Sequence, residues 1–277
     1  MAHIDDPILL TGACSGIGEA VATRLAMLGR RVISVDVAEA PSSITTETHL
    51  QYDLAAPDSG DQIAAAVRAV VGNDGSLSSV INVAGVAGTH PGALVLEVNL
   101  LAVRRVNTAL RPFLRRGSTI VNVGSISGNA WATRLDLHQQ LLALDDHAAR
   151  AWWHDRAPSV GTDAYSFSKE AVIVHSMHTA GELIGTGIRC NAVSPGPVET
   201  PLLPTFREQI GDDRLDWVMS HAGRAAQPDE IAQAIEWLAV GESHWVNGHH
   251  LVVDGGYTSG LLSGWIDATN APAPRTA

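Results

Sequence analysis

Short apolar runs alternate with stretches of helical periodicity along most of the chain. Pro7-Ile8-Leu9-Leu10-Thr11 is an apolar run entering a glycine-rich turn, the pattern of a strand buried on both faces. Apolar side chains at Ile17, Val21, Leu25 and Leu28 then recur at spacings of three and four, and Gly29 supplies a stop. This predicts a helix over 17–28. Val32-Ile33-Ser34-Val35-Asp36 reads as a second strand. Further strands are predicted at 79–83, 119–123, 188–193 and 251–253, with helices near 61–71, 95–110, 164–183 and 229–238. Strands that alternate with helices and connect by right-handed crossovers specify a doubly wound parallel sheet with helices on both faces, an α/β fold.

One stretch breaks the alternation. Residues 128–162 hold Trp131, Trp152, Trp153 and several leucines among acids and histidines, and read as an insertion. The periodicity over 135–153 predicts a helix whose aromatics need cover from the domain or from a second subunit. Residues 270–277, rich in Ala and Pro, read as a mobile tail after a single domain over 1–269.

A length of 277 residues suits one large domain, and 45% hydrophobic with 17% charged residues is a globular composition. A net charge of −11 argues against nucleic acid as a partner, since the pairs Arg30-Arg31, Arg104-Arg105 and Arg115-Arg116 are short and scattered. No apolar run approaches the ~20 residues needed to span a bilayer, and the first residues lack a basic flank and apolar stretch, so the expectation is a cytoplasmic protein without membrane contact. Cys14 and Cys190 fit neither a disulfide framework nor a zinc spacing and are expected to be free thiols.

The segment Thr11-Gly12-Ala13-Cys14-Ser15-Gly16-Ile17-Gly18 lies between the first strand and the first helix. Glycines there let backbone approach a pyrophosphate, and the helix N-terminus offers unpaired amides and a favourable dipole; a tight turn without ligand is the plain alternative. Asp36, closing the second strand, can accept from both ribose hydroxyls of an adenosine and would repel a 2′-phosphate. No Arg or Lys follows it or lies in the glycine loop, which favours NAD over NADP. Tyr165 and Lys169 stand four apart on a predicted helix and project from one face. An ammonium there favours the phenolate and is expected to lower the tyrosine pKa from about 10, making Tyr165 a proton acceptor from an alcohol or donor to a ketone.

The ordered set Thr11-Gly-x-x-x-Gly-Ile-Gly18, Asp53, Asn82-Val83-Ala84-Gly85, Asn99, Ser125, Tyr165-x-x-x-Lys169 and Pro195-Gly196 resembles the short-chain dehydrogenase/reductase family over nearly the whole chain. The resemblance implies a Rossmann-type domain and NAD. It implies that Lys169 also binds the nicotinamide ribose, that Ser125 bonds the substrate oxygen, and that Asn99 holds a water in a proton relay. It implies adenosine contacts at Asp53 and Leu54 beside Asp36, and pyrophosphate contacts along Gly12, Cys14, Ser15, Gly16, Ile17 and Gly18. Asn82, Ala84 and Gly85 would steady the central strand beside the cofactor, with one side chain bonding neighbouring backbone. Pro195, Gly196, Val198 and Thr200 would line the nicotinamide and fix its carboxamide.

Two departures carry information. The interval from Gly85 to Asn99 is short for the family, and that from Ser125 to Tyr165 is long. Together with Glu199-Thr200-Pro201-Leu202-Leu203 they resemble a subgroup containing bacterial 3α-hydroxysteroid dehydrogenase/carbonyl reductase and coniferyl-alcohol dehydrogenase, which implies a homodimer built on the last helix and strand. Residues 200–227, with Leu202, Leu203, Phe206, Trp217, Val218 and Met219, read equally as core and as a lid over a small-molecule apolar alcohol or ketone, bulky in the manner of a steroid, terpenoid or aryl alcohol. His175 with His178, and His249 with His250, have a permissive spacing, but no acid or cysteine completes a set, and no metal is expected. The function expected is interconversion of a secondary alcohol and its ketone. An aryl or allylic alcohol dehydrogenase and a catalytically silent NAD-binding regulator are the alternatives. Nucleotide-sugar epimerisation is disfavoured by the short C-terminal region.

Overall fold

In the computed structural model, which describes residues 5–273, seven parallel strands form one sheet in the order β3-β2-β1-β4-β5-β6-β7. They are β1 (Ile8–Thr11), β2 (Val32–Asp36), β3 (Thr48–Gln51), β4 (Leu77–Asn82), β5 (Leu114–Val123), β6 (Arg189–Pro195) and β7 (His250–Val253). β3 carries no apolar run, and its Thr-His-Leu-Gln sequence reflects a half-exposed edge position that periodicity does not flag.

Helix α1 (Gly16–Met27) packs with α10 (Pro228–Val240) on one face of the sheet, while α2 (Ser59–Val71), α4 (Ala102–Leu110) and α7 (Ala164–Leu183) cover the other. Successive residues of β1 divide between the two cores: Ile8 and Leu10 join the first, Leu9 the second. Hydroxyls within buried strands satisfy carbonyls at the end of α10, Ser79 Oγ donating to Ala239 O (2.8 Å) and Thr119 Oγ1 to Leu238 O (3.3 Å). Polar residues in these strands are therefore joints between sheet and helix.

The insertion departs from the single helix expected over 135–153. It forms α5 (Leu135–Leu142) and α6 (Asp146–Arg156), because Asp145 adopts extended backbone and its side chain accepts from Ala148 N, starting a new helix. The domain itself supplies cover. Trp153 is 6% exposed and packs on Phe167 of α7, with ring centroids 5.3 Å apart. Leu96, Leu100, Leu141 and Ala149 complete this third core, Leu96 ending the short helix α3 (Gly92–Leu96).

Residues 200–227 contain α8 (Leu203–Ile210) and α9 (Asp212–Ala222), and α11 (Tyr257–Ser263) follows β7. Asn270 ends a short helical turn, Arg214 donates to Pro272 O (3.0 Å), and residues 274–277 of the expected tail lie outside the described residues. Among the described residues no helix is long and apolar enough to cross a membrane.

Candidate active site

The carboxyl ends of β1 and β4 mark the point where the strand order reverses, and a cleft of about 810 Å³ opens there. Of the residues expected at the site, all except Cys14, Asn82 and Asn99 line it.

At one end the glycine loop is shaped by contacts that allow no side chain. A Cβ on Gly18 would lie 1.8 Å from Gly12 O, and one on Gly12 2.6 Å from Ala84 N. Gly12 and Gly16 have φ of 73° and 55°. Thr200 lies over Gly16, where a Cβ would meet its Cγ2 at 3.0 Å, so the loop and the segment after β6 close on each other. Asp36 accepts from Cys14 N (2.9 Å) and Ala38 N (3.0 Å), which fixes its carboxylate. Cys14 thus supports Asp36 from behind, and burial beside that carboxylate pushes its thiol up to about 11. Asp53 Oδ1 caps Ala55 N (2.8 Å). This cradle of bare backbone, a helix N-terminus and a fixed carboxylate fits a dinucleotide.

Asn82 differs from expectation. It is 3% exposed and turns away from the cleft, Nδ2 donating to Asn107 Oδ1 and Asn122 Oδ1 (both 2.8 Å). It ties strands and helix together through side chains, not through backbone. Two of the four paired histidines are likewise engaged: His175 Nε2 lies 3.2 Å from Asn107 Nδ2, and His250 Nε2 2.8 Å from Ser194 Oγ.

The chemical end is set by α7. Asp163 caps it, accepting from Ser166 N (2.9 Å) and Ser166 Oγ (2.6 Å), and Tyr165 and Lys169 project from its first turns. Lys169 Nζ donates to Val123 O (3.0 Å) at the end of β5 and lies 5.8 Å from the Tyr165 ring centroid. Ser125, just beyond β5, lines the cleft beside Tyr165, and its Oγ accepts from Ser127 N (3.2 Å). Asn99 sits in a π-helical turn (Glu97–Leu101) between α3 and α4, whose extra residue re-aims side chains. Its amide pairs with both backbone groups of Val86 (2.8 and 3.0 Å) and donates to Ser168 Oγ (3.1 Å). A Cβ on Gly85 would come 3.1 Å from Asn99 Oδ1 and 3.4 Å from Lys169 Nζ, so Gly85 leaves space beside both.

The expected lowering of the Tyr165 pKa is not what this site shows. Burial pushes Tyr165 up to about 12, opposed by the Ser125 hydroxyl, and burial pushes Lys169 down to about 8. Desolvation dominates when both groups are shielded from water. The phenol is therefore a proton donor as it stands.

Phe206 lies at the cleft as a lid reading requires, and three further residues there, Tyr257, Gln209 and Arg214, had no signal in the sequence. Phe206 of α8 packs edge-on against Tyr165 (5.1 Å), and Tyr257 of α11 meets Trp217 of α9 at 87°. Gln209 joins the lid to its surroundings, Oε1 accepting from Gly88 N (3.1 Å) and Nε2 reaching Asp163 Oδ1 (3.4 Å). Arg214 faces the same end. Of the apolar lid residues, Leu202, Leu203, Phe206 and Val218 line the cleft, Trp217 packs on Tyr257, and Met219 does neither.

A Gly-rich turn at the switch point and a Ser–Tyr–Lys group beside it define a nucleotide-linked oxidoreductase. The chain belongs to the short-chain dehydrogenase family: residues 6–135 match the family model described as short chain dehydrogenase, and residues 154–258 that described as enoyl-(acyl carrier protein) reductase. The gap between the two matches holds most of α5 and α6. The chain is 34% identical to a coniferyl-alcohol dehydrogenase of Pseudomonas sp. (strain HR199 / DSM 7063) over 253 residues, covering 91% of this chain and 96% of the other. It is 30% identical over 278 residues to a 2-(R)-hydroxypropyl-CoM dehydrogenase of Xanthobacter autotrophicus, covering 91% and 98%. The crystal structure of the 3-alpha-hydroxysteroid dehydrogenase from Pseudomonas sp. B-0831 complexed with NADH superposes with a TM-score of 0.79 at 30% identity, over 95% of this chain and 100% of that one.

Proposed function

We propose that the protein is an NAD-dependent oxidoreductase that interconverts a secondary alcohol, cyclic in the manner of a steroid or terpenoid, and its ketone. The observation that carries this reading is the convergence of Ser125, Tyr165 and Lys169 on one cleft whose other end is the Gly12–Gly18 cradle and Asp36. A fixed carboxylate at Asp36 favours free ribose hydroxyls over a 2′-phosphate. NAD, when bound, supplies the hydride acceptor and, in its oxidised form, a positive ring charge that favours the nearby phenolate.

The chain's own residues manage the proton. Ser125 holds the substrate oxygen and Tyr165, in the same cleft, exchanges a proton with it, accepting from the carbinol in oxidation and donating to the carbonyl oxygen in reduction. Lys169, held by Val123 O, supplies positive charge beside Tyr165 and reaches the ribose. A proton relay at Asn99 would use its backbone, since its side chain is taken up by Val86 and Ser168. Thr200 fixes the ring's carboxamide. The lid helices α8 and α9 exclude water with Leu203, Phe206 and Val218.

The relative that bears the coniferyl-alcohol name supports a second reading, an aryl or allylic alcohol. A homodimer through α10 and β7 is proposed with either, supported by the edge position of β7 and by Trp237 and Trp245, 43% and 100% exposed beside it. The test is NADH formation with NAD or NADP against hydroxysteroids, cyclic terpenoid alcohols and aryl alcohols. Turnover with NAD that falls by about 10²-fold or more in Tyr165→Phe is expected. NAD binding without turnover across the panel would favour a silent regulator.

A further inference from the structure

The substrate end of the cleft is walled by Leu94, Leu203, Phe206, Val218 and Tyr257, and into this apolar surround one guanidinium is admitted, that of Arg214 near the start of α9. Eight of the described arginines lie within ion-pair distance of a carboxylate, Arg207 and Arg224 of the same 200–227 segment among them. Arg214 has no such partner among the described residues. Its Cζ lies 5.4 Å from the Trp217 ring centroid, and one N–H donates to Pro272 O (3.0 Å), a neutral acceptor. These two contacts orient the guanidinium without answering its charge, and they leave most of its five donors unused.

The acid that lines the cleft beside Tyr165 is already engaged. Asp163 accepts from Ser166 twice and from Gln209, and serves as the cap of α7. The charge of Arg214 is felt inside the cleft, where it opposes the burial that raises the Tyr257 phenol. When a ligand displaces water here, a neutral apolar molecule would strand a desolvated cation, whereas a carboxylate would neutralise it through paired hydrogen bonds.

We infer that the substrate carries a carboxylate remote from its reacting carbinol or carbonyl, and that Arg214 is the residue that selects it. This rests on the proposed oxidoreductase reading and narrows its substrate class to hydroxy or oxo acids with an apolar body. An Arg–carboxylate pair shielded from water discriminates strongly, because the analogue lacking the acid leaves the guanidinium unpaired.

The experiment compares kcat/KM with NAD for matched pairs, 4-hydroxycyclohexanecarboxylate against 4-methylcyclohexanol and 4-(hydroxymethyl)benzoate against 4-methylbenzyl alcohol. In the wild-type protein the acid of at least one pair is expected to be favoured by about 10- to 100-fold. The ratio should fall toward one in Arg214→Gln, be partly kept in Arg214→Lys, and invert in favour of 4-(aminomethyl)benzyl alcohol in Arg214→Glu. Calorimetry on the NADH-loaded protein repeats the comparison without turnover, using 4-formylbenzoate against 4-methylbenzaldehyde. Equal preference within every pair in the wild type, or a preference that survives Arg214→Gln, would overturn the inference and leave the oxidoreductase reading standing. Absence of NADH binding would overturn that reading and the inference with it.

Discussion

Glu170 Oε2 lies 2.8 Å from His138 Nε2, and neither side chain has any access to solvent. Arg134 donates to both oxygens of the same carboxylate. Glu170 follows Lys169 directly, so the insertion grips the helix that carries Tyr165 and Lys169. Removing one member of a buried pair strands the other, and Glu170→Ala is expected to cost about 3 kcal/mol of folding stability, read from urea denaturation. Burial would raise this carboxyl, but hydrogen bonds from Arg134 and His138 outweigh it and hold it below 4.5. A carboxyl depressed in the folded state contributes stability fully above its unfolded value and loses it as pH falls through the folded one. The gap between wild type and Glu170→Gln should therefore narrow as pH falls below about 4.5; a constant gap would refute the ion pairing.

Lys169 shifts stability with pH in the same direction, but here the depressed value reflects a cost of burial at neutral pH. Its folded value is about 8 against 10.5 for an ordinary lysine. Below pH 8 both states hold the proton and the folded one bears the desolvation of an ammonium. Between 8 and 10.5 the unfolded chain holds it alone, so this contribution to stability rises with pH. Lys169→Met should be more stable than wild type at pH 7, with an advantage that shrinks by pH 10. Tyr165, up to about 12, works against this above pH 10, since the unfolded phenol ionises first.

Gly18→Ala places a methyl 1.8 Å from Gly12 O, where backbone must move. A loss of about 3 kcal/mol is expected, visible as a lower thermal midpoint, together with loss of NAD binding by calorimetry. Unchanged NAD affinity would show that the cradle is not the pyrophosphate site.

Asp36→Ala removes the acceptor of Cys14 N and Ala38 N and the carboxylate proposed for the ribose. KM for NAD should rise by about 10- to 100-fold, while KM for NADP rises less or falls. Equal effects on both would deny Asp36 a part in choosing the cofactor.

The parallel sheet was readable because buried strands such as Ile8–Thr11 leave continuous apolar runs and α7 runs from Ala164 to Leu183 without a proline. β3 was not, since an edge strand needs no apolar face. The split at Asp145 was missed because the apolar spacing continues across it while the backbone is set by one side-chain cap. Tyr165, Lys169 and Ser125 were legible through spacing and order. Arg214 and Gln209 were not, because what brings them to the cleft is the fold of the lid, which no local pattern encodes. The direction of the Tyr165 shift followed from burial, a quantity the sequence does not carry.

Gln209 connects the lid to Gly88 and to Asp163, the residue that starts the helix of Tyr165. A bound molecule cannot leave past α8 without parting those two links, and parting the second releases one of the restraints on the first turn of α7. One carboxamide thus ties the position of α8 to the start of the helix that carries Tyr165, so loosening α8 comes at the expense of a less well-held phenol.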